Sequence, residues 1–314
     1  MANIFYGIDV SKATLEIAFG EDHETQTINN NPASITLWLK SLGESSLIGL
    51  ESTGDYHSLM ATMAYEAGHT VFILQPRHLK NYAQGVGVRI KSDPSDAEVI
   101  HRYISREHKD LRPFTPASQL VTQLQKLVKR RAALTKARMS VKQSLKGLDL
   151  LDQDLKVFMG DFDRFIGQID RKMLCLIRKD VELNAQRERL STIPGVGPVT
   201  SVALAALFKR FSFKSADSVV SYVGLEPKVR QSGRWVGKRR ISKRGPGELR
   251  RLLYIAALTA SRKPAWREIY NRHKAKGLPS TACMVILSRK ILKTAFGIWN
   301  KPEELYDESR IKSA

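Results

Sequence analysis

Four acidic residues stand in settings that suit metal-assisted phosphodiester chemistry. They are Asp9 in Gly7-Ile8-Asp9-Val10-Ser11-Lys12, Glu51 in Glu51-Ser52-Thr53-Gly54, and Asp93 with Asp96 in Lys91-Ser92-Asp93-Pro94-Ser95-Asp96-Ala97. Asp9 ends the apolar run 4–8 and Glu51 ends the run 47–50. A carboxylate at the end of an apolar strand is costly unless a cation lies against it, and open α/β sheets place ligands where their strands emerge. Asp93 and Asp96 stand three apart at the start of a helical stretch that reaches about Ser105, so they share one helix face. By itself Asp93 suits an N-cap, with Pro94 in the first helical position. Together the pair also suits one site with Asp9 and Glu51.

The charge is divided in the same sense. The chain has 51 Lys and Arg against 31 Asp and Glu, a formal net charge of +20 and a pI near 10.0. Residues 1–100 carry 6 basic and 12 acidic side chains, leaving 45 basic and 19 acidic for the rest. A surface this basic expects a polyanion, and the uneven split argues against a uniformly basic ribosomal or histone-like protein. The acidic part would hold metal and the basic part nucleic acid. At 314 residues and 42% hydrophobic content the chain has room for two or three domains with ordinary cores. Cys175 and Cys283 lack Cys-x-x-Cys spacing, which gives no support to a zinc site or a disulfide framework, and Cys175 sits in a helical apolar pattern that predicts a buried thiol. Neither a signal-like N-terminus nor a run of about eighteen apolar residues is present, so a cytoplasmic protein with no membrane partner is expected.

The elements that must position the four acids follow from periodicity. Strands are predicted at 4–10, 14–19 and 25–28 as an antiparallel meander, then a helix from near Pro32, a strand at 47–50, a helix at about 56–67 and a strand at 70–74. The order βββαβαβα resembles the RNase H-like arrangement, in which the first and fourth strands lie side by side. Asp9 and Glu51 would then be neighbours. From Leu120 a heptad takes over, with Leu120, Leu124, Leu127, Leu134, Val141, Leu145 and Leu148 on the seam and Arg131 and Arg138 as exceptions. A second seam runs from Phe162 to Leu190, interrupted by Asp180 and Arg187, and the two long helices meet near 147–152 as an antiparallel hairpin or a dimerising coiled coil. Ser191 to Pro198 is glycine-rich. Gly195 and Gly197 could free backbone N–H groups for a phosphate, as helix-hairpin-helix elements do, or could simply turn the chain between helices. Between Lys228 and Arg251 stand ten basic residues and one acid, Glu248, interleaved with Ser232, Trp235 and glycines. Lys228, Arg230, Arg234, Lys238, Arg239, Arg240, Lys243 and Arg244 read as a phosphate-tracking surface. The expected domains are 1–112, 113–188 and 189–314.

Gly7 to Lys12, Glu51 to Gly54 and the Asp93/Asp96 pair, with Gly224-Leu225-Glu226-Pro227, Gln231-Ser232-Gly233 and Ile241-Ser242-Lys243-Arg244-Gly245, resemble in order and spacing a family of bacterial insertion-sequence proteins. These are the RuvC-like DEDD transposases and recombinases, which include the Piv-type DNA invertases. The resemblance implies an α/β RNase H-like (RuvC-like) metal-binding domain, a helical coiled-coil middle and a mainly α C-terminal transposase domain. It implies that Asp9, Glu51, Asp93 and Asp96 bind Mg²⁺, with Mn²⁺ as the alternative, and that a serine becomes linked to DNA. Ser232, flanked by Arg230, Gly233 and Arg234, is preferred, and Ser242 competes. The implied partners are DNA, a structured non-coding bridge RNA as guide, and further copies of the chain as a dimer or a tetramer on DNA, acting at the bacterial nucleoid. Ser92 replaces a common Thr, and Pro94 interrupts the paired aspartates. A RuvC-like endonuclease that activates water, an invertase without an RNA guide and a non-catalytic nucleic-acid binder remain as alternatives. The first needs no serine and leaves no protein on DNA. The last is disfavoured, because four acids near a phosphate binder repel it unless metal neutralises them.

Overall fold

Alternating apolar residues build a five-stranded sheet in the N-terminal part of the chain. β1 (Phe5–Val10), β2 (Thr14–Phe19) and β3 (Glu24–Asn29) form the meander, α1 (Pro32–Ser41) leads to β4 (Leu47–Glu51), and α2 (His57–Glu66) leads to β5 (Thr70–Leu74). α3 (Pro76–Gly85) and α4 (Asp93–Glu107) follow. The strand order is β3-β2-β1-β4-β5, with β1 parallel to β4 and β4 parallel to β5. The computed structural model describes residues 4–309 except 21, 23, 44, 53, 88–92, 229–230, 233–234 and 237–239, and the backbone alone at Asp93, Gln231, Ser232, Trp235 and Val236. It divides into two units, residues 1–116 and 117–314.

Each face of the sheet has its own core. Ile8, Val10, Leu15, Ile17, Ile48 and Leu50 pack with Ile35, Trp38, Met60 and Ala64 of α1 and α2. Leu47, Phe72 and Leu74 on the other face pack with Leu79 of α3 and Val99, Ile100 and Ile104 of α4. Side chains alternate across a strand, so Gly7, Asp9, Gly49 and Glu51 belong to the α4 face. That face has a groove. Gly7 stands opposite Ala18 on β2 and opposite Gly49 on β4, a row of small residues across three strands. A β-carbon on Gly7 would collide with the backbone of Ala97 and His101, and one on Gly49 would come within 2.7 Å of the Ile104 side chain. Gly7 of the first motif and Gly49, two residues before Glu51, therefore let α4 lie against the sheet.

In residues 117–314, α5 (Gln119–Ser144) and α6 (Asp152–Ile177) run antiparallel. Arg131 and Arg138, the two breaks in the leucine seam, meet acids on α6: Arg131 Nε lies 2.5 Å from Asp170, and Arg138 Nη2 lies 2.6 Å from Asp163. The second seam is not one helix. α6 stops at Ile177, and Asp180 caps α7 (Val181–Ser191) by accepting from the Leu183 amide at 2.9 Å. A seam residue that looked like an interruption is a helix start. Cys175 is exposed, contrary to expectation, because Met173 and Ile177 take the inward positions on either side of it, and Cys283 is the buried thiol.

α8 (Pro198–Arg210) is buried along Thr200–Phe208 and forms the centre of this unit. Around it lie α9 (Ala216–Val223), α10 (Gly247–Ala260), α11 (Pro264–Ala275) and α12 (Ser280–Asn300). Leu124 of α5 and Ile169, Met173 and Ile177 of α6 join the same core, so the segment read as 113–188 shares its packing with 189–314. Between α9 and α10 the chain forms a small ribbon that the sequence did not signal. β6 (Pro227–Lys228) pairs with β9 (Arg240–Ile241), and β7 (Gln231–Ser232) pairs with β8 (Trp235–Val236). No helix among the described residues is long and apolar enough to cross a membrane.

Candidate active site

The acids of unit 1 stand one step beyond the row of small residues. Asp9 is opposite Glu16 in the β1–β2 register, and Asp9 and Glu51 each follow the last parallel pair, Ile8 with Leu50. Neighbouring strands are about 4.8 Å apart, so Glu16, Asp9 and Glu51 form a row on the α4 face at the end where β1 and β4 emerge. All three are half-buried. Like charges directly opposite in a sheet are unfavourable unless something compensates them.

α4, whose first turn holds Asp93 and Asp96, packs on the same face of the sheet. It runs against the direction of β1: Ala97 and His101 face Gly7, whereas the ring of His108, beyond the helix end, lies 5.1 Å from that of Phe5 at a tilt of 54°. Going from Gly7 to Asp9 advances about 6.6 Å along a strand, and going back one turn from Ala97 to Asp93 covers about 6 Å along a helix. By these backbone lengths the first turn of α4 begins about level with Asp9 along the strand. The positive end of its dipole points at the carboxylate row. Asp93 opens the helix and Pro94 follows, a position that serves a cap as well as a ligand. Among the described residues, which include Asp9, Glu16, Glu51 and Asp96 but not the Asp93 side chain, no group of three or more His, Cys, Asp or Glu is arranged to hold a metal ion, so these four are not gathered into a ligand set. The donors available are hard carboxylate oxygens, the ligands that suit Mg²⁺ and Mn²⁺.

Two contributors at this strand end escaped the sequence reading. Asn30 donates its side-chain amide to Ser11 O at 2.9 Å and Tyr56 O at 3.3 Å, tying together the loops that follow β1 and β4. Glu16 accepts from Thr27 Oγ1 at 2.6 Å and so is held beside Asp9. Neither lies within a motif, and only the strand register brings them in. Ser11 of the first motif is a turn former: its hydroxyl donates to Thr14 O at 2.9 Å and accepts from Thr14 N at 2.8 Å. His57 is half-buried at the start of α2. Burial pushes its imidazole below the ordinary value, and nearby Asp55 acts in the opposite direction.

In unit 2, Ser232 pairs with Trp235 at the inner end of the ribbon. Arg230, Arg234, Lys238 and Arg239 lie outside the described residues, whereas Arg240, Lys243 and Arg244 are exposed and Lys228 is half-buried. The two fragments around 224–227 and 241–245 are one structural feature. Ser242 N donates to Glu226 O at 3.0 Å, Lys243 N donates to Gly224 O at 3.1 Å, and a side chain on Gly224 would strike the carbonyl of Arg244. Ser242 Oγ accepts from Arg244 N at 3.2 Å, so it supports this turn, and α10 has no side-chain cap. Gly195 has φ +85°, and a β-carbon there would strike Ala256 O of α10, which explains that glycine by packing. Gly197 is the exposed N-cap of α8.

Comparisons with known proteins agree with this organisation. A transposase model of the IS110 DEDD type matches residues 6–153, and the model described as "Transposase IS116/IS110/IS902 family" matches residues 187–271. The "Pilin gene-inverting protein" of Moraxella bovis is 30% identical over 314 residues, covering 95% of this chain and 96% of that protein. The "Probable family 20 transposase" of Pseudomonas aeruginosa is 24% identical over 290 residues, covering 80% of this chain and 82% of its own. The solved structure "T. thermophilus RuvC in complex with Holliday junction substrate" is similar over 36% of this chain and all of its own, at 12% identity and a TM-score of 0.28, a level that leaves the sheet register as the ground for the fold. The resemblance drawn from the motifs is borne out: with both parts matched in order and a relative aligned along nearly its whole length, the chain belongs to the IS116/IS110/IS902 family of transposases.

Proposed function

We propose that this transposase-family chain cuts and rejoins DNA strands, with Asp9, Glu51, Asp93 and Asp96 holding Mg²⁺ and Ser232 as the nucleophile. What supports this is the parallel register of β1 with β4, which sets Asp9 and Glu51 at adjacent strand ends, and the packing of α4, the helix that holds Asp93 and Asp96, on the same face of the sheet. The sheet order β3-β2-β1-β4-β5 supports the RNase H-like assignment. When bound, the divalent cation neutralises charge at the phosphoryl oxygens and lowers the pKa of a coordinated hydroxyl. Ser232 Oγ forms a bond to phosphorus, the bond from phosphorus to the departing deoxyribose oxygen breaks, and the serine proton leaves to that oxygen through solvent. One phosphodiester replaces another, so the reverse attack by a DNA hydroxyl rejoins strands without an external energy source. Lys228, Arg240, Lys243 and Arg244 supply the cations that hold the backbone. A structured RNA guide would be a further polyanion for a chain with a net charge of +20. On a supercoiled plasmid carrying the DNA that flanks this gene, strand cleavage and joining are expected in Mg²⁺ and lost on adding EDTA. Products at full yield in EDTA would remove the metal from the proposal.

Inversion of a DNA segment without an RNA guide is the second reading. The likeness to the pilin gene-inverting protein over 96% of its length favours it.

Self-association belongs to the same proposal, because recombination must bring two DNA sites together. The outer end of the α5–α6 hairpin exposes Leu150 (95%), Val157 (61%), Phe158 (49%) and Phe165 (53%), apolar area that a second copy of the hairpin would cover. Leu127 and Leu134 instead pack against the unit's own core. Leu150→Asp combined with Phe158→Asp is expected to leave the thermal midpoint within a few degrees of wild type while converting a sedimenting dimer or tetramer to monomer. A wild type that sediments as a monomer both alone and with DNA contradicts this.

A further inference from the structure

A second basic tract lies beyond the ribbon. Between Arg262 and Lys301 the chain has ten Lys and Arg and a single acid, Glu268, the same ratio as in 228–251. Helical packing gathers part of it into one cleft of about 590 Å³ between α11, α12 and the segment 301–307. Its floor is apolar, with Ile269, Ile286 and Ile298, and its walls carry Arg272, His273, Arg289, Lys290, Lys293 and Lys301. Two carboxylates, Glu304 and Asp307, also line it.

Among the lining residues Arg272, Arg289, Lys290, Lys293 and Lys301 outnumber the carboxylates Glu304 and Asp307, and Asp217 of α9 acts on both Lys293 and Arg289. Lys293 Nζ lies 2.6 Å from Asp217, Lys301 lies 3.0 Å from Glu304, and Arg272 reaches Glu268 only at 3.5 Å, where both side chains are largely exposed and the pair is weak. Arg289 Nε is buried without a hydrogen-bond partner among the described residues. A buried donor left unmade costs free energy that an anionic oxygen would recover. The cations also crowd one another. Lys290 is held below the ordinary lysine value by burial and then by Arg272, and His273 is lowered by burial, Lys276 and Arg272. An anion between them relieves that repulsion.

We infer that this cleft is a second nucleic-acid contact, in which Arg272 and Arg289 hold backbone phosphates of a strand passing between α11 and α12, separate from the ribbon surface at 228–244. The inference rests on the proposal that the chain handles nucleic acid and adds a location that no motif indicated. The common chemistry is the phosphodiester, and either the DNA substrate or a guide RNA could supply it.

The test is fluorescence polarisation of the full chain with a labelled 40-base-pair duplex DNA and, separately, a labelled 40-nucleotide RNA, each titrated between 50 and 300 mM KCl. Arg272→Gln with Arg289→Gln is expected to make the slope of log K against log[KCl] shallower by about 1–2 and to weaken binding severalfold at low salt, since each lost phosphate contact removes about 0.7–0.9 from the slope. Arg272→Gln alone, an exposed change that does not endanger folding, should remove about half of that. Arg289→Lys should restore most of it. A change confined to the DNA probe or to the RNA probe identifies the occupant. Wild-type binding to both probes with unaltered slopes in all the variants overturns the inference and leaves the wider proposal standing. Failure of the wild type to bind either probe removes both.

Discussion

Asp9→Asn is expected to abolish strand cleavage, with a fall on the order of 10³-fold or more, the size of loss seen when one group stabilising transition-state charge is removed. Asp9 is the middle member of the row, between Glu16 on β2 and the strand end at Glu51 on β4, on the face of the sheet against which α4 packs. The substitution keeps the side-chain shape and deletes only the charge. It relieves like-charge repulsion, so the sheet should melt at the wild-type temperature or slightly above. Glu16→Gln offers a useful contrast. Glu16 shares the row but is engaged by Thr27, so its loss should reduce activity far less than loss of Asp9. Near-normal cleavage by Asp9→Asn in Mg²⁺ would contradict the assignment of this strand end as the metal site.

The parts of this fold that were legible in the sequence are those with strong period-2 patterning. β2 and β5 begin and end where predicted, β1 and β4 differ by one residue at one end, and β3 extends one residue further at both ends. β1 and β4 could be paired in advance because the order of elements resembles the RNase H-like arrangement, in which those strands are neighbours. What was not legible depends on contacts remote in sequence. Asn30 and Glu16 join the site only through the register of β3 with β2 and of β2 with β1. α3 went unseen because its ten residues bury only Leu79. The ribbon at 227–241 has strands of two residues, too short for any alternation to register, and basic residues masked the turns between them. The break between α6 and α7 hid within a heptad that continues across it, and Asp180 signalled it only as a cap. At Gly195 the glycine reflects the backbone of α10 pressed against it, a reason that no local pattern carries.

Ser232→Ala should lose cleavage and the covalent protein–DNA adduct together, while DNA affinity stays within about twofold, because one hydroxyl adds little beside so many cations. The backbone of Ser232 pairs with Trp235 at the turn end of the β7–β8 pair, with Arg230 and Arg234 two residues to either side in sequence. Ser242 has a structural duty already, since it closes the turn that joins Gly224 to Arg244. Ser242→Ala should therefore lower stability, by about 1 kcal/mol for a lost turn hydrogen bond, and reduce activity only in proportion. Equal loss of adduct from both variants at equal stability would leave the serine assignment without support.

The central claim is that this chain breaks DNA by attack of its own serine, with the acids at the β1 and β4 ends making that attack possible. It is tested most directly by trapping the reaction with a nicked DNA substrate in Mg²⁺, denaturing it, digesting with trypsin and sequencing the peptide that carries nucleotide. Cleavage after Arg230 and Arg234 places Ser232 in the tetrapeptide Gln231-Ser232-Gly233-Arg234, whereas cleavage after Arg240 and Lys243 places Ser242 in Ile241-Ser242-Lys243. The expected result is nucleotide on the first peptide from the wild type and on neither from Asp9→Asn. Nucleotide on the second peptide, or recombinant product formed with no adduct on any serine, would contradict it.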